Sequence, residues 1–326
     1  MILLTPRENA PASSSPPTVV LFGAGLVGSA IAATLQASAP LEGTVLALDW
    51  HQPERFSEQL AVIEDRLTEL FSANSDSVPS RALRAVWSAG KAGFFSTSGE
   101  VARELASFEV DLHMIERLAS RFPHVASTMV LMSSAGGLFE GQQHVGRASV
   151  PAPRRPYSQL KLRQEELLWA SAAPIAKKIY RLTSVYGYIR HDQRKGLIPT
   201  LIANGLRQRA SDITGRVTTL RDYVWIEDIA EYISRTLLDD DEAGRDSVAV
   251  LASAKSSSIL EVQRIVEQAL HRPLYVRFSS SATNSDDITF ATESLPKRWH
   301  PSELDTNVRK IVADALRRQA VFEEAR

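Results

Sequence analysis

Residues 19–32 read VVLFGAGLVGSAIA, and their order decides the fold. Val19–Phe22 is a short apolar run that ends in glycine, as a buried parallel strand does. Gly23, Gly25 and Gly28 make a GxGxxG turn, with Leu26 and Val27 inside it. Gly23 permits the tight bend, Gly25 lets backbone amides approach a pyrophosphate, and Gly28 lets the next helix pack on the strand. Ser29–Ala37 follows with helix formers, and Thr44–Leu48 is a second apolar run closed by Asp49. Strand, glycine turn, helix, strand and acid form the βαβ order of a dinucleotide-binding unit. Asp49 lies 21 residues past Gly28, near the spacing of about 20 for an acid that takes both ribose hydroxyls. Such an acid repels a 2′-phosphate, and no Arg or Lys follows before Arg55, so NAD is favoured over NADP.

Working outward, Ala85–Trp87, Thr128–Met132, Ile179–Leu182 and Ser247–Leu251 read as further strands, with helical spacing over Glu100–Phe122 and Tyr157–Ala170. Alternation of this kind implies an α/β fold, a Rossmann-type doubly wound parallel sheet. After Tyr186 the pattern loosens, leaving helical stretches at Leu197–Leu206 and Ile259–Leu270. These suit a smaller, partly interleaved C-terminal substrate lobe. A disordered arm is expected at 1–17, because Pro6–Thr18 holds four prolines and three consecutive serines. The dinucleotide-binding domain is expected at 18–187, with about 219–252 joining its sheet, and the lobe at 188–218 and 253–326.

The sequence PYSQLKLRQEELL puts Tyr157 and Lys161 one helical turn apart on one face. A free phenol has a pKa of about 10, so acid–base work near neutrality needs a shift of about three units, or about 4 kcal/mol. One cation at about 4 Å supplies that scale at an effective dielectric of about 20. Lys161 is therefore suited to activate Tyr157.

Bulk composition narrows the remaining classes. The 326 residues contain no cysteine, which removes thiolate chemistry and Cys-type zinc sites and fits a reducing compartment. A net charge of −1 gives no reason to invoke nucleic acid or an anionic membrane. No apolar run approaches membrane-spanning length, and Met1–Leu4 is too short for a signal core, so a cytoplasmic protein is expected. The seven histidines show no metal-ligand spacing, and no metal is expected.

These blocks together resemble the extended short-chain dehydrogenase/reductase family, the NAD-dependent sugar-nucleotide epimerases and dehydratases, from Val19 to about residue 315. Val86–Gly93 looks like the family's fourth-strand segment beside the cofactor, which implies that Ala89, Gly90 and Lys91 bind it. Val130–Ser134 matches the strand that ends in a catalytic hydroxyl. Tyr180–Gly187 resembles its "LRxxNVYG" strand, with Ser184 at the asparagine, and Thr219–Ile229 resembles its "RDxxxVxD" block. The resemblance implies that Arg221 holds a substrate diphosphate and that Ser184 faces the sugar nucleotide. It implies a homodimer formed through Val101–Phe122 and Tyr157–Ala170.

Three departures qualify these expectations. The family turn usually reads GxxGxxG, and its first position here is Phe22. The usual hydroxyl position is Ala135, which leaves Ser134, or Ser133 behind it, as the substitute. No acid follows at Ala135–Gly137, which argues against a 4,6-dehydratase. The resemblance thus implies an NAD-dependent 4-epimerase of a nucleotide-activated sugar, with Tyr157, Lys161 and Ser134 catalytic. A 4-ketoreductase using NADH or NADPH is the related alternative, and a non-catalytic dinucleotide sensor or assembly protein is the alternative of another class.

Overall fold

The structure is a computed structural model that describes residues 1–7, 16–50, 52–72, 82–188, 196–279 and 286–324. The chain forms two compact units. The first comprises Met1–Leu138, Pro153–Arg181 and Ala230–Ala249, and the second Phe139–Ala152, Leu182–Ile229 and Val250–Arg326. The stretch 219–229, expected with the sheet, therefore lies in the second unit, and so does 182–187.

The first half of the chain runs β1 (Ile2–Pro6), β2 (Thr18–Phe22), α1 (Leu26–Ser38), β3 (Leu41–Val45) and α2 (Pro53–Ser72). It continues as β4 (Ala82–Trp87), α3 (Ser98–Arg121), β5 (Ala126–Ser134), α4 (Ala135–Leu138), α5 (Pro156–Ala170) and β6 (Ile175–Leu182). The second half runs β7 (Ser184–Tyr186), α6 (Leu197–Leu206), β8 (Ser211–Thr214), β9 (Leu220–Arg221) and β10 (Tyr223–Trp225). Then come α7 (Ile226–Leu238), α8 (Asp240–Ala243), β11 (Ser247–Leu251), β12 (Ser257–Ser258), α9 (Ile259–Leu270), β13 (Val276–Ser279) and α10 (Leu304–Glu324). The helices read at 197–206 and 259–270 are α6 and α9. Among the described residues no helix is long and apolar enough to cross a membrane.

A seven-stranded sheet of order β11-β6-β5-β4-β2-β1-β3 organises the fold. Strands β2, β4 and β5 pair in parallel, as a Rossmann-type sheet requires, and β2 and β4 are buried along their full length. Beneath them Leu3, Val20, Phe22, Trp87 and Phe108 belong to one apolar core. Smaller two-stranded sheets pair β7 with β10, β8 with β13 and β9 with β12.

Strand β1 corrects the expectation of a disordered arm over 1–17. Ile2–Pro6 lies inside the sheet, antiparallel to both β2 and β3, with Leu3 and Leu4 fully covered. Four apolar residues are too few for a helix or a signal core, but they suffice for a strand flanked on both sides. Of the arm, 8–15 lies outside the described residues. Insertion of β1 also moves the second apolar run. The ladder with β1 ends at Ile2↔Val45, so β3 stops at Val45 and does not reach Leu48. The chain then crosses the end of β1 through paired bonds between Met1 and Leu46, each 3.0 Å.

Candidate active site

At the end of β2 the backbone of Gly23 turns into the left-handed region, with φ of 100°. A Cβ there would meet the Ala89 backbone at 2.6 Å, so the glycine turn packs directly on the exit of β4. A Cβ on Gly28 would lie 1.9 Å from the Gly23 carbonyl oxygen. Gly25 is the opposite case, with no atom within 4 Å of where its Cβ would be. It is also the N-cap of α1, with no side-chain cap and no acid in the first turn. The first amides of α1 thus open beside an uncrowded glycine, a cradle that suits an anion.

Ser88 fastens the two turns together, its hydroxyl donating to the carbonyls of Phe22 and Gly23 at 3.1 and 3.2 Å. Past it, Ala89 and Lys91 line a cleft of about 660 Å³, counting its open mouth, together with Trp50, Trp87, Arg103 and Glu104. Asp49 is partly exposed, and its backbone N–H donates to Gln59 Oε1 at 2.7 Å. Although β3 is one strand farther from β2 than a plain βαβ unit would place it, the loop over β1 brings the adjacent Trp50 into this cleft.

Helix α5 begins with Pro156 in its first turn, where the missing N–H costs nothing. Its covered face carries Ser158, Lys161, Gln164, Glu165 and Leu168. Lys161 is 5% exposed, and its Nζ donates to Gln164 Oε1 at 3.0 Å and Glu104 Oε1 at 3.3 Å. The ammonium stands 5.0 Å from the Trp87 ring centre and 5.9 Å from that of Tyr157. Tyr157 is partly exposed and packs edge-on against Phe94 at 5.6 Å. Arg155 lies over the Phe94 ring at 5.1 Å.

The two serines of β5 have different surroundings. Ser133 is buried, and its hydroxyl donates to Glu165 Oε1 at 2.5 Å. Glu165 is in turn gripped by Arg181 through Nε and Nη2, at 3.0 and 2.6 Å. Ser134 is partly exposed and accepts from the Gly137 N–H at 3.1 Å. A Cβ on Gly137 would fall 3.2 Å from Tyr157 Cε1 and 3.3 Å from Ser134 Oγ, so these two side chains flank that glycine. Ala135, at the usual hydroxyl position, is buried.

Below the cleft, Trp87 Nε1 donates to Asp111 Oδ2 at 3.1 Å. The other oxygen, Oδ1, has no hydrogen-bond partner among the described residues. Burial pushes the Asp111 carboxyl well above the usual value of 3.8, against the opposing Trp87 bond.

In the second unit, Ser184 pairs with Tyr223 across β7 and β10, and its N–H donates to the Asp222 carbonyl at 3.0 Å. Arg221 Nη1 donates to the carbonyls of Leu220 at 2.9 Å and Asp286 at 2.5 Å. Asp222 is buried and accepts from Thr183 Oγ1, Ser253 N and Ser253 Oγ, each at 2.8 Å. Burial raises its carboxyl above the usual range, and these bonds oppose the rise. No cluster of His, Asp and Glu that could hold a metal occurs among the described residues.

The first unit therefore brings together Tyr157, Lys161, Ser134, Ala89, Gly90 and Lys91 beside the glycine turn. Sequence reasoning missed Trp50, Phe94, Glu104 and Asp111. A signal existed for the two acids. Val101, Glu104, Phe108, Asp111 and Ile115 fall at i, i+3, i+7, i+10 and i+14, so both acids interrupt the apolar stripe of α3.

Comparison with known proteins bears on the fold. Solved structures that share the fold include UDP-glucose 4-epimerase from Brucella ovis in complex with NAD, with a TM-score of 0.70 and 20% identity, covering 91% of this chain and 97% of that one. UDP-glucose 4-epimerase from Thermotoga maritima with UDP-glucose gives a TM-score of 0.69 at 16% identity, covering 93% and 99%. RMD from Pseudomonas aeruginosa complexed with NADPH gives 0.64 at 18%, covering 91% and 97%. At such identities the likeness is one of fold. No curated protein sequence matches. The model of the NAD dependent epimerase/dehydratase family matches residues 19–251, more than half of the chain. The chain belongs to that family, within the extended short-chain dehydrogenases/reductases.

Proposed function

We propose that the protein is an NAD-dependent 4-epimerase of a nucleotide-activated sugar, working through a transient 4-keto sugar. One observation carries the reading: Ser134 and Tyr157 flank Gly137 while Lys161 lies one turn along the same helix, beside the cleft bordered by Ala89 and Lys91. The open Gly25 and the uncapped start of α1 fit the pyrophosphate of a dinucleotide, and Ala89, Gly90 and Lys91 border its path, with Leu26 and Val27 opening the helix. Asp49 is proposed to take the adenosine ribose.

Bound NAD supplies a hydride acceptor at the sugar carbon. Tyr157 Oη accepts the proton of the sugar hydroxyl and later returns it, and Ser134 Oγ holds that same oxygen in place. The Lys161 ammonium, 5.9 Å from the Tyr157 ring centre, offers a hydrogen to a ribose hydroxyl. Arg221 and Ser184 are proposed to meet the diphosphate and the sugar. Ser133 is committed to Glu165, which supports Ser134 as the substrate hydroxyl.

The test is incubation of the purified protein with UDP-linked hexoses, following inversion at C4 by proton NMR. Inversion by the wild type and none by Y157F is expected. Oxidation of NADH or NADPH on a 4-keto nucleotide sugar without inversion would give the ketoreductase instead. No redox chemistry on any nucleotide sugar would leave the non-catalytic alternative. We also propose a homodimer through α3 and α5, on which Val110 and Trp169 remain partly exposed.

A further inference from the structure

Lys161 is held by an acid that the reading above does not use. Glu104, on α3, forms an ion pair with Lys161 at 3.3 Å, and the two side chains are only 8% and 6% exposed. The second carboxylate oxygen of Glu104 accepts from the backbone N–H groups of Lys91 and Ala92, each at 2.8 Å. Gly90 sits against the pair, and a Cβ there would come within 2.8 Å of Glu104 Oε1 and 3.2 Å of Lys161 Nζ. One carboxylate thus joins the exit loop of β4 to the lysine of α5.

A buried ion pair offsets its desolvation only when further hydrogen bonds satisfy both partners. That condition is met here. Glu104 takes three donors, and Lys161 gives its second hydrogen to Gln164 Oε1 at 3.0 Å. An ammonium has three donors, so one remains for Tyr157 or a ribose hydroxyl. Its direction is fixed by where Glu104 and Gln164 hold the other two.

We infer that Glu104 is a positioning residue, which sets the aim of Lys161 and couples it to whatever lies against the 89–92 loop. This rests on the reading of Tyr157 and Lys161 given above. Glu104→Gln keeps the shape but removes the charge. Its amide oxygen can still accept the two backbone donors, while its NH₂ faces the Lys161 ammonium, donor against donor.

The experiment is acetylation of the full chain with acetic anhydride, reading the Lys161 peptide by mass spectrometry in wild type, E104Q and E104D. Without dinucleotide, E104Q should label Lys161 about tenfold faster, the scale set by one lost charged hydrogen bond. E104D, still charged but one methylene shorter, should fall between the two. Equal rates in wild type and E104Q would overturn the inference. Should E104Q not fold, E104D decides alone, and a rate equal to wild type overturns it. A second arm repeats the labelling with NAD and titrates NADH by fluorescence, expecting protection of wild-type Lys161 and weaker NADH binding by E104Q. Labelling contrast without any dinucleotide effect would uphold the grip of Glu104 and overturn the functional reading instead.

Discussion

Gly25 has room around it, whereas Gly23 and Gly28 do not. Their substitutions should therefore fail differently. Gly25→Ala leaves stability within about 0.5 kcal/mol, as a site without clashes allows, while its methyl enters the anion cradle and weakens dinucleotide binding. Gly28→Ala drives a methyl into a carbonyl oxygen and should cost about 3 kcal/mol or more, read by denaturant unfolding. The β5 serines divide along similar lines. Ser134→Ala should lower turnover by about 10²-fold or more with little change in stability. Ser133→Ala should cost about 1–3 kcal/mol, because it removes one bond from the buried Glu165, and should spare turnover. Equal losses of turnover in both variants would contradict the assignment.

At the scale of elements, the glycine turn and the Tyr157 helix were legible because each rests on local rules. A turn that needs glycine shows its glycines, and an i, i+4 pair shows its spacing. Strand β1 was not legible. Its placement depends on unpaired edges of β2 and β3, which lie elsewhere in the chain, and a proline- and serine-rich connection hides the join. The Glu104 and Arg221 contacts were hidden for the same reason, since a charge reads as solvated until its neighbours are known. A strand covered on both faces should behave as core. Leu3→Ala, at a site 1% exposed, should cost about 2–5 kcal/mol in urea unfolding. A loss below about 0.5 kcal/mol would mean that 1–7 does not enter the sheet in solution.

For the molecule as a whole, Asp111 makes stability depend on pH. Its folded pKa is raised above 3.8, so the folded chain binds that proton more tightly than the unfolded chain. Stability then falls as pH rises. The contribution is fully present below 3.8 and is lost as pH climbs through the folded value. Asp111→Asn keeps an acceptor for Trp87 and removes the titration. Its stability relative to wild type should be higher at pH 8 than at pH 4 in thermal unfolding, the rise ending where the folded carboxyl ionises. A difference constant across that range would contradict a buried, proton-holding carboxyl. Sedimentation at micromolar concentration should show a dimer, and a monomer would remove the α3–α5 interface.

Above all, this fold is proposed to hold a dinucleotide and to recycle it in each turnover. Mass spectrometry of the nucleotide released when freshly purified protein is denatured tests it most directly. One NAD per chain is the predicted result and matches a cofactor that returns to its starting state in each turnover. A chain that releases no nucleotide and binds neither added NAD nor NADPH would rule out a dinucleotide site at the glycine turn.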